Sequence, residues 1–321
     1  MTIIHDSIYG QFFLEEVLVD IINTKAIQRL KNIHQGGASF LVNPKWNVTR
    51  FEHSIGVMLL IKSLGGSIEE QIAGLLHDIS HTAFSHVVDI VVDSKNEDYH
   101  ESIFDEVFFS SEVPSVLLKH NIKLESILPL EKWSLLEQPL PNLCADRIDY
   151  TLRDLTHYNK INLDEATLFL NSLRIVNGKL CVNSIASAEW FVKAYNLEVI
   201  DFFLDPLNAY GYIVLKDILK IALDKKLLQI EDFKLDDLTI WNKLNKLQDK
   251  EITNKIKELK KKVISNENNF DYRKKGKLRI IDPLIIQNNK LVHSSKVSTR
   301  VKHLNDIARK KSLKGTFIKV L

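Results

Sequence analysis

Three short stretches carry side chains that could hold a metal ion: His53, the adjacent pair His77-Asp78, and Asp146. A bound cation needs several imidazole and carboxylate groups, brought from different elements and aimed at one point. Each stretch here sits among apolar neighbours. His53 lies in Arg50-Phe51-Glu52-His53-Ser54, and His77-Asp78 follows Ile72, Ala73, Leu75 and Leu76. A buried carboxylate beside a buried imidazole is costly unless it is paired or metal-bound. Any one of these residues alone is most often an ordinary hydrogen-bonded histidine or a solvated acid. Their joint occurrence points to a metal centre. A second group lies close by: His81, His86, Asp89 and His100. Clustered imidazoles near a carboxylate suit acid–base work or phosphate binding near neutral pH, or else form a polar loop with incidental histidines.

The elements that must position these groups are mostly helical. Helix-compatible spacing covers Thr24–Ile33 until Gly36-Gly37, and again Arg50–Leu64 until Gly65-Gly66. Ser67, with Glu70 three residues on, predicts an N-cap for a helix that delivers His77-Asp78 at its end. Phe84–Val92 and Glu101–Phe109 read as further helices, and a helix after Pro141 carries Asp146 to Tyr158. Phe40-Leu41-Val42 reads as a short strand or turn. Two alternating segments around Asn177-Gly178 predict a β-hairpin over 173–182. Helical texture returns over 185–226, interrupted near Pro206, and over 235–264. Residues 277–294 read as another small β element.

The 321 residues suffice for one large domain or two modest ones, with 45% hydrophobic and 26% charged side chains, ordinary for a globular protein. The net charge of +2 is unevenly placed. Residues 251–321 hold 19 Lys and Arg against 6 Asp and Glu, while the first 250 hold 24 against 35. The basic tail reads either as a solvated Lys-rich face or as a surface for anions or nucleic acid. Cys144 and Cys181 are the only cysteines, which excludes a disulfide framework and a zinc finger and fits a reducing cytoplasm. No secretory signal and no run of 18 apolar residues is visible, so no membrane partner is expected.

Taken in order, these motifs resemble the HD superfamily of metal-dependent phosphohydrolases, and within it the dNTP triphosphohydrolase subfamily. The opening motif is similar to Thr49-Arg50-Phe51-Glu52-His53-Ser54-Ile55-Gly56. The family's His-Asp-Leu-Gly-His-Gly-Pro-Phe-Ser-His is similar to His77-Asp78-Ile79-Ser80-His81-Thr82-Ala83-Phe84-Ser85-His86. The last metal motif resembles Asp146-Arg147-Ile148-Asp149-Tyr150, followed by Leu152-Arg153-Asp154. The resemblance covers roughly residues 20–220 and fades beyond. It implies a mainly α fold: an HD-domain helical bundle with small β-hairpin elements over 1–220, then a basic C-terminal α+β region over 221–321.

The resemblance also implies roles. His53, His77, Asp78 and Asp146 would bind a divalent metal ion, whether iron, manganese, magnesium, zinc or nickel. Arg50 would support the phosphate and the metal ligands. His81 and His86 would face phosphate, and Asp89 with His100 would form the acid pair that protonates the leaving oxygen. Arg147 stands at a phosphate-binding lysine position, and Gln35, Tyr150 and Asp154 at positions that read the sugar. Tyr195 supplies a hydroxyl to the same site. The partners implied are a nucleotide substrate and further copies of the chain. Three positions depart from the family pattern. Gly36 replaces an apolar side chain beside the sugar, Leu197 replaces a histidine, and Ser187 stands where some relatives place an arginine, with Lys193 as the nearest cation. They keep a ribonucleotide or a modified nucleotide, cleaved as a monoester or diester, as the alternative substrate.

Overall fold

Two capped helices set the frame. Thr49 and Glu52 form a capping box, so the Arg50–Ser63 helix starts one turn before His53. Ser67 accepts from the Glu70 N–H and starts the Ile68–Leu76 helix, which ends with His77 in the C-cap position. The two helices pack as a pair around Val57, Met58, Ile61, Ile72 and Leu75, all buried. A third helix, Ala145–His157, lies against the first and shares its core through Ile148 and Leu152. This description rests on a computed structural model, which describes residues 2–94 and 98–321.

Around this frame several expectations hold, and some shift. The hairpin forms with the register Leu173↔Val182 to Val176↔Lys179, and Asn177 and Gly178 both take positive φ at its turn. The small β element expected over 277–294 is a second hairpin of strands Leu284–Gln287 and Lys290–His293. The long helical region resolves into Ile185–Asn196, a wide turn over Leu197–Phe202, and Pro206–Asp224, which Asp205 caps. By contrast, Phe40-Leu41-Val42 belongs to a short helix, Ser39–Val42. The helix expected from Phe84 begins only at Val87, because Phe84 and Ser85 adopt φ of 61° and 46°. The one expected over 101–109 is broken into Tyr99–Ser102 and Phe104–Ser110.

The N-terminal hairpin (Thr2–Asp6, Gly10–Leu14) has no counterpart in the sequence reading, while the expected C-terminal α+β region takes the form of the Thr299–Lys314 helix and a three-stranded sheet with Thr316–Val320 between Val263–Ser265 and Tyr272–Lys274. Residues on both sides of position 220 share cores and sheets. Strand Lys179–Val182 pairs in parallel with Leu284–Gln287. Ile281, Ile285, Val301 and Ala308 join the core that contains Val57, Ile72 and Ile148. Among the described residues, no helix is long and apolar enough to cross a membrane.

Candidate active site

His53, His77, Asp78 and Asp146 converge. The Nε2 atoms of His53 and His77 lie 3.2 Å apart, and Asp146 Oδ1 lies 3.0 and 3.6 Å from them. Asp78 Oδ1 is 3.5 Å from His77 Nε2, and its Oδ2 is 3.8 Å from His53 Nε2. The far sides of both rings are already engaged. His53 Nδ1 donates to Asp149 Oδ2 at 2.8 Å, and His77 Nδ1 to the Gly74 carbonyl at 2.8 Å. Neutral rings held this way turn two lone pairs towards two carboxylates, a set of acceptors with no donor among them. Only positive charge satisfies it. Against the cost of burial, hydrogen bonds to Asp146 and Asp149 raise His53 to about 10. Against the same cost, Asp78 and Asp146 raise His77. The donor set therefore fits a divalent cation with a hydrogen-bonded second layer.

Gly56 makes this layer possible. A Cβ there would fall 2.0 Å from Asp149 Oδ1 and 2.1 Å from an Arg153 nitrogen. Glycine on the Arg50–Ser63 helix thus lets the Ala145–His157 helix place Asp149 behind His53. Arg153 neutralises Asp149 through two hydrogen bonds of 2.9 and 3.0 Å and reaches Asp6 of the N-terminal hairpin at 3.0 Å.

Arg50 donates to Asp78 Oδ2 at 2.8 Å and to Ser85 Oγ at 3.1 Å, so it braces both the carboxylate and the following loop. That loop is held from the later chain. Asp237 accepts the Phe84 N–H at 2.5 Å and the His34 N–H and Nδ1–H at 2.9 and 2.8 Å, and Ala83 donates to Phe233 O. His81 stacks on His100 with ring centres 3.8 Å apart, and burial pushes both imidazoles down, His100 to about 4. The expected Asp89–His100 pairing is corrected here. Asp89 Oδ2 instead accepts from His86 Nδ1 at 2.8 Å, and Oδ1 accepts the Tyr99 N–H at 3.1 Å. The late helix start is the cause: His86 occupies the N-cap position, and Asp89 in the first turn faces it. Donor atoms of His86, Asp89 and His100 still lie within 4.8 Å of one another.

A cavity of about 400 Å³ opens in front of these groups. Gln35, Arg50, His53, His86, Asp146, Arg147, Tyr150, Asp154 and Tyr195 line it. His77, Asp78, His81, Asp89 and His100 join directly to that wall, so all fourteen expected residues gather at one place. The Tyr150 and Tyr195 hydroxyls are 3.3 Å apart. Gln35 Nε2 reaches Asp154 Oδ2 at 3.5 Å, and Gln35 Oε1 and Asp154 Oδ1 are buried without partners. Arg147 is tied down by donating to Asn142 O, Cys144 Sγ, Glu137 Oε1 and Gln138 O, at 2.8–3.1 Å. Gly36 leaves no simple gap, because a Cβ there would meet Ser39 Oγ at 2.6 Å.

Sequence reasoning missed several contributors. Asp149 was visible three residues after Asp146, on the same helical face. Glu198 is fully buried beside Asp154 on the wide turn, and nothing in its spacing singles it out. Phe202, Phe203 and Tyr212 add an aromatic wall, and the segment Lys274–Arg279 a basic one.

Comparison with known proteins fits this geometry. The family model described as "HD domain" matches residues 50–154. An uncharacterized protein of Bacillus subtilis, YdhJ, is 51% identical over 99% of both chains. The metal-dependent phosphohydrolase cns2 of Cordyceps militaris is 38% identical over 54% of this chain and 50% of its own length. The deoxynucleoside triphosphate triphosphohydrolase SAMHD1 of Danio rerio is 29% identical over 56% of this chain and 37% of its own. Among solved structures, a phosphohydrolase from Bacteroides thetaiotaomicron superposes with a TM-score of 0.75 over 99% of both chains at 21% identity, a likeness of fold.

Proposed function

The chain belongs to the HD-domain family of metal-dependent phosphohydrolases, and from that premise we propose that it hydrolyses a nucleoside triphosphate, with His53, His77, Asp78 and Asp146 as metal ligands. One observation carries the assignment of ligands: four acceptor side chains from three elements meet with no donor among them, each imidazole locked from behind. Held by these four residues, a divalent ion would supply Lewis-acid chemistry for a phosphoryl oxygen and for the attacking water.

The chain's own groups supply the rest. Arg50 fixes the Asp78 carboxylate and keeps positive charge beside the phosphoryl group. His86 opens onto the cavity with Nδ1 bound to Asp89, which leaves Nε2 directed to the substrate side. In this reading His86, steadied by Asp89, donates the proton that the leaving oxygen needs. His81, buried and kept neutral, serves as a hydrogen-bonding wall beside Asp78. Gln35 and Asp154, with unpartnered polar atoms lining the cavity, suit the hydroxyls of a sugar. The family motifs and the named triphosphohydrolase relative support a deoxynucleotide.

A panel of dNTPs, NTPs, nucleoside monophosphates and cyclic nucleotides, assayed with manganese, iron or magnesium and analysed by product, tests this. Release of inorganic tripolyphosphate is the expected outcome. Release of orthophosphate alone would transfer the assignment to a phosphomonoesterase, and equal turnover by metal-stripped protein would sink the metal mechanism.

A further inference from the structure

Four cations in six residues, Lys274-Lys275-Gly276-Lys277-Leu278-Arg279, form part of the wall of the cavity that contains His53 and Asp146. The segment is a strap anchored at both ends. It leaves the sheet at Lys274, which pairs with Thr316, and it re-enters the core at Ile281, whose carbonyl accepts from Asn305 Nδ2 at 2.9 Å. Its midpoint is pinned as well. The Gly276 N–H donates to Ser312 O at 3.1 Å, and a Cβ at Gly276 would lie 3.0 Å from that carbonyl and 3.2 Å from Leu204. Lys274 Nζ sits 4.1 Å over the Tyr212 ring, and the Arg279 guanidinium 5.4 Å over Phe203, so aromatic residues of the same cavity hold two of the cations.

Charge around the cavity decides what the strap is for. Among the described residues, its lining includes six Lys or Arg side chains and two carboxylates, Asp146 and Asp154. Two of the six, Arg50 and Arg147, come from the helices that carry His53 and Asp146. The remaining four all belong to the strap. Arg279 also acts electrostatically on Tyr195, whose hydroxyl touches that of Tyr150 at 3.3 Å, and the Tyr150 ring is 6.5 Å from His53. We propose that the Lys274–Arg279 strap is a polyphosphate-binding element, which takes the outer phosphates of a substrate whose inner phosphate lies at His53 and Asp146. The proposal rests on the phosphohydrolase reading of the cavity and narrows its substrate to molecules with a chain of phosphates.

Calorimetric titration of the full chain in EDTA, with inorganic tripolyphosphate and with orthophosphate, tests it without any reaction. Wild type should bind tripolyphosphate at least tenfold more tightly than orthophosphate. Lys275→Ala and Arg279→Ala should each weaken tripolyphosphate roughly tenfold, and Arg279→Lys should recover part of that loss. Circular dichroism and melting temperature establish that the variants fold. Gly276→Val, which keeps every charge and displaces the strap, should weaken tripolyphosphate as well. Equal affinity for the two anions in wild type, or unchanged tripolyphosphate binding in the alanine variants, would overturn the proposal. If no nucleotide is hydrolysed yet tripolyphosphate binding follows this pattern, the nucleotide reading falls and the strap stands.

Discussion

His53 and Lys275 line one cavity and are built in opposite ways. His53 is 1% exposed, projects from the first turn of a helix, and is fixed behind by a carboxylate that is itself neutralised by Arg153. Lys275 is exposed, lies between strands, and owes its place to backbone anchors on its neighbours. The difference follows the chemistry. A metal centre needs donors held to a fraction of an ångström, which buried side chains with a supporting hydrogen-bond layer provide. Recognition of a polyanion needs many charges and tolerates looser placement.

The largest effect should come from the cradle. Replacing both His77 and Asp78 by alanine removes half of the converging acceptors. Loss of bound metal in elemental analysis and a fall in turnover on the order of a thousandfold or more are expected. A double variant that retained stoichiometric metal would show that the cradle is not the metal site.

Support from behind should matter less, though still measurably. Asp149→Asn keeps the shape and removes the charge that faces His53 and Arg153, so metal affinity should drop roughly 10- to 100-fold in a competitive titration. Gly56→Ala attacks the same contact from the other helix, because its Cβ would occupy the position of Asp149 Oδ1. It should lose metal affinity to a similar degree and also stability, by about 1–3 kcal/mol from overpacking. Unchanged affinity in both variants would mean that the second layer does not position His53.

The two walls should also part under salt. Debye screening shortens from about 10 Å at 0.1 M to about 3 Å at 1 M. Tripolyphosphate binding through the exposed strap should therefore weaken several-fold across that range, while metal retention by the buried cradle changes little. Equal salt sensitivity would erase the distinction drawn here.

The same contrast accounts for what could be read in advance. Cradle residues fall in short motifs, each within a few positions of another group of the site: Arg50 three before His53, His81 three after Asp78, and Asp149 three after Asp146. Short-range signals such as the Asn177-Gly178 turn and the Ser67 N-cap were legible because they too are local. The strap was visible only as composition, an excess of Lys and Arg in the tail. Its position over the cavity depends on pairing with Thr316–Val320 and on packing against Leu204, contacts between residues far apart in sequence. The i, i+3 spacing of His86 and Asp89 put them on one face; what it did not show is the left-handed backbone at Phe84 and Ser85 that delays the helix and sets His86 at its N-cap.

Between the two walls lies Asp154, which tests whether the sugar end is built like the cradle. It comes from a cradle helix, yet its neighbour is Glu198 from the wide turn, and both Glu198 oxygens and Asp154 Oδ1 are buried without a donor. Burial raises Asp154 to about 7, and burial together with Asp154 raises Glu198 well above the usual carboxylate range, so the pair shares a proton. The unfolded chain releases such protons near pH 4. From there upward the folded state binds more protons than the unfolded one, so this pair's contribution is complete in acid and is lost as pH rises through about 7. Glu198→Gln replaces one acid by an amide donor for Asp154 and should remove that loss. The variant should melt about 2–6 °C above wild type at pH 8, a gap that closes towards pH 5. A constant difference across that range would mean that Asp154 and Glu198 do not share a proton.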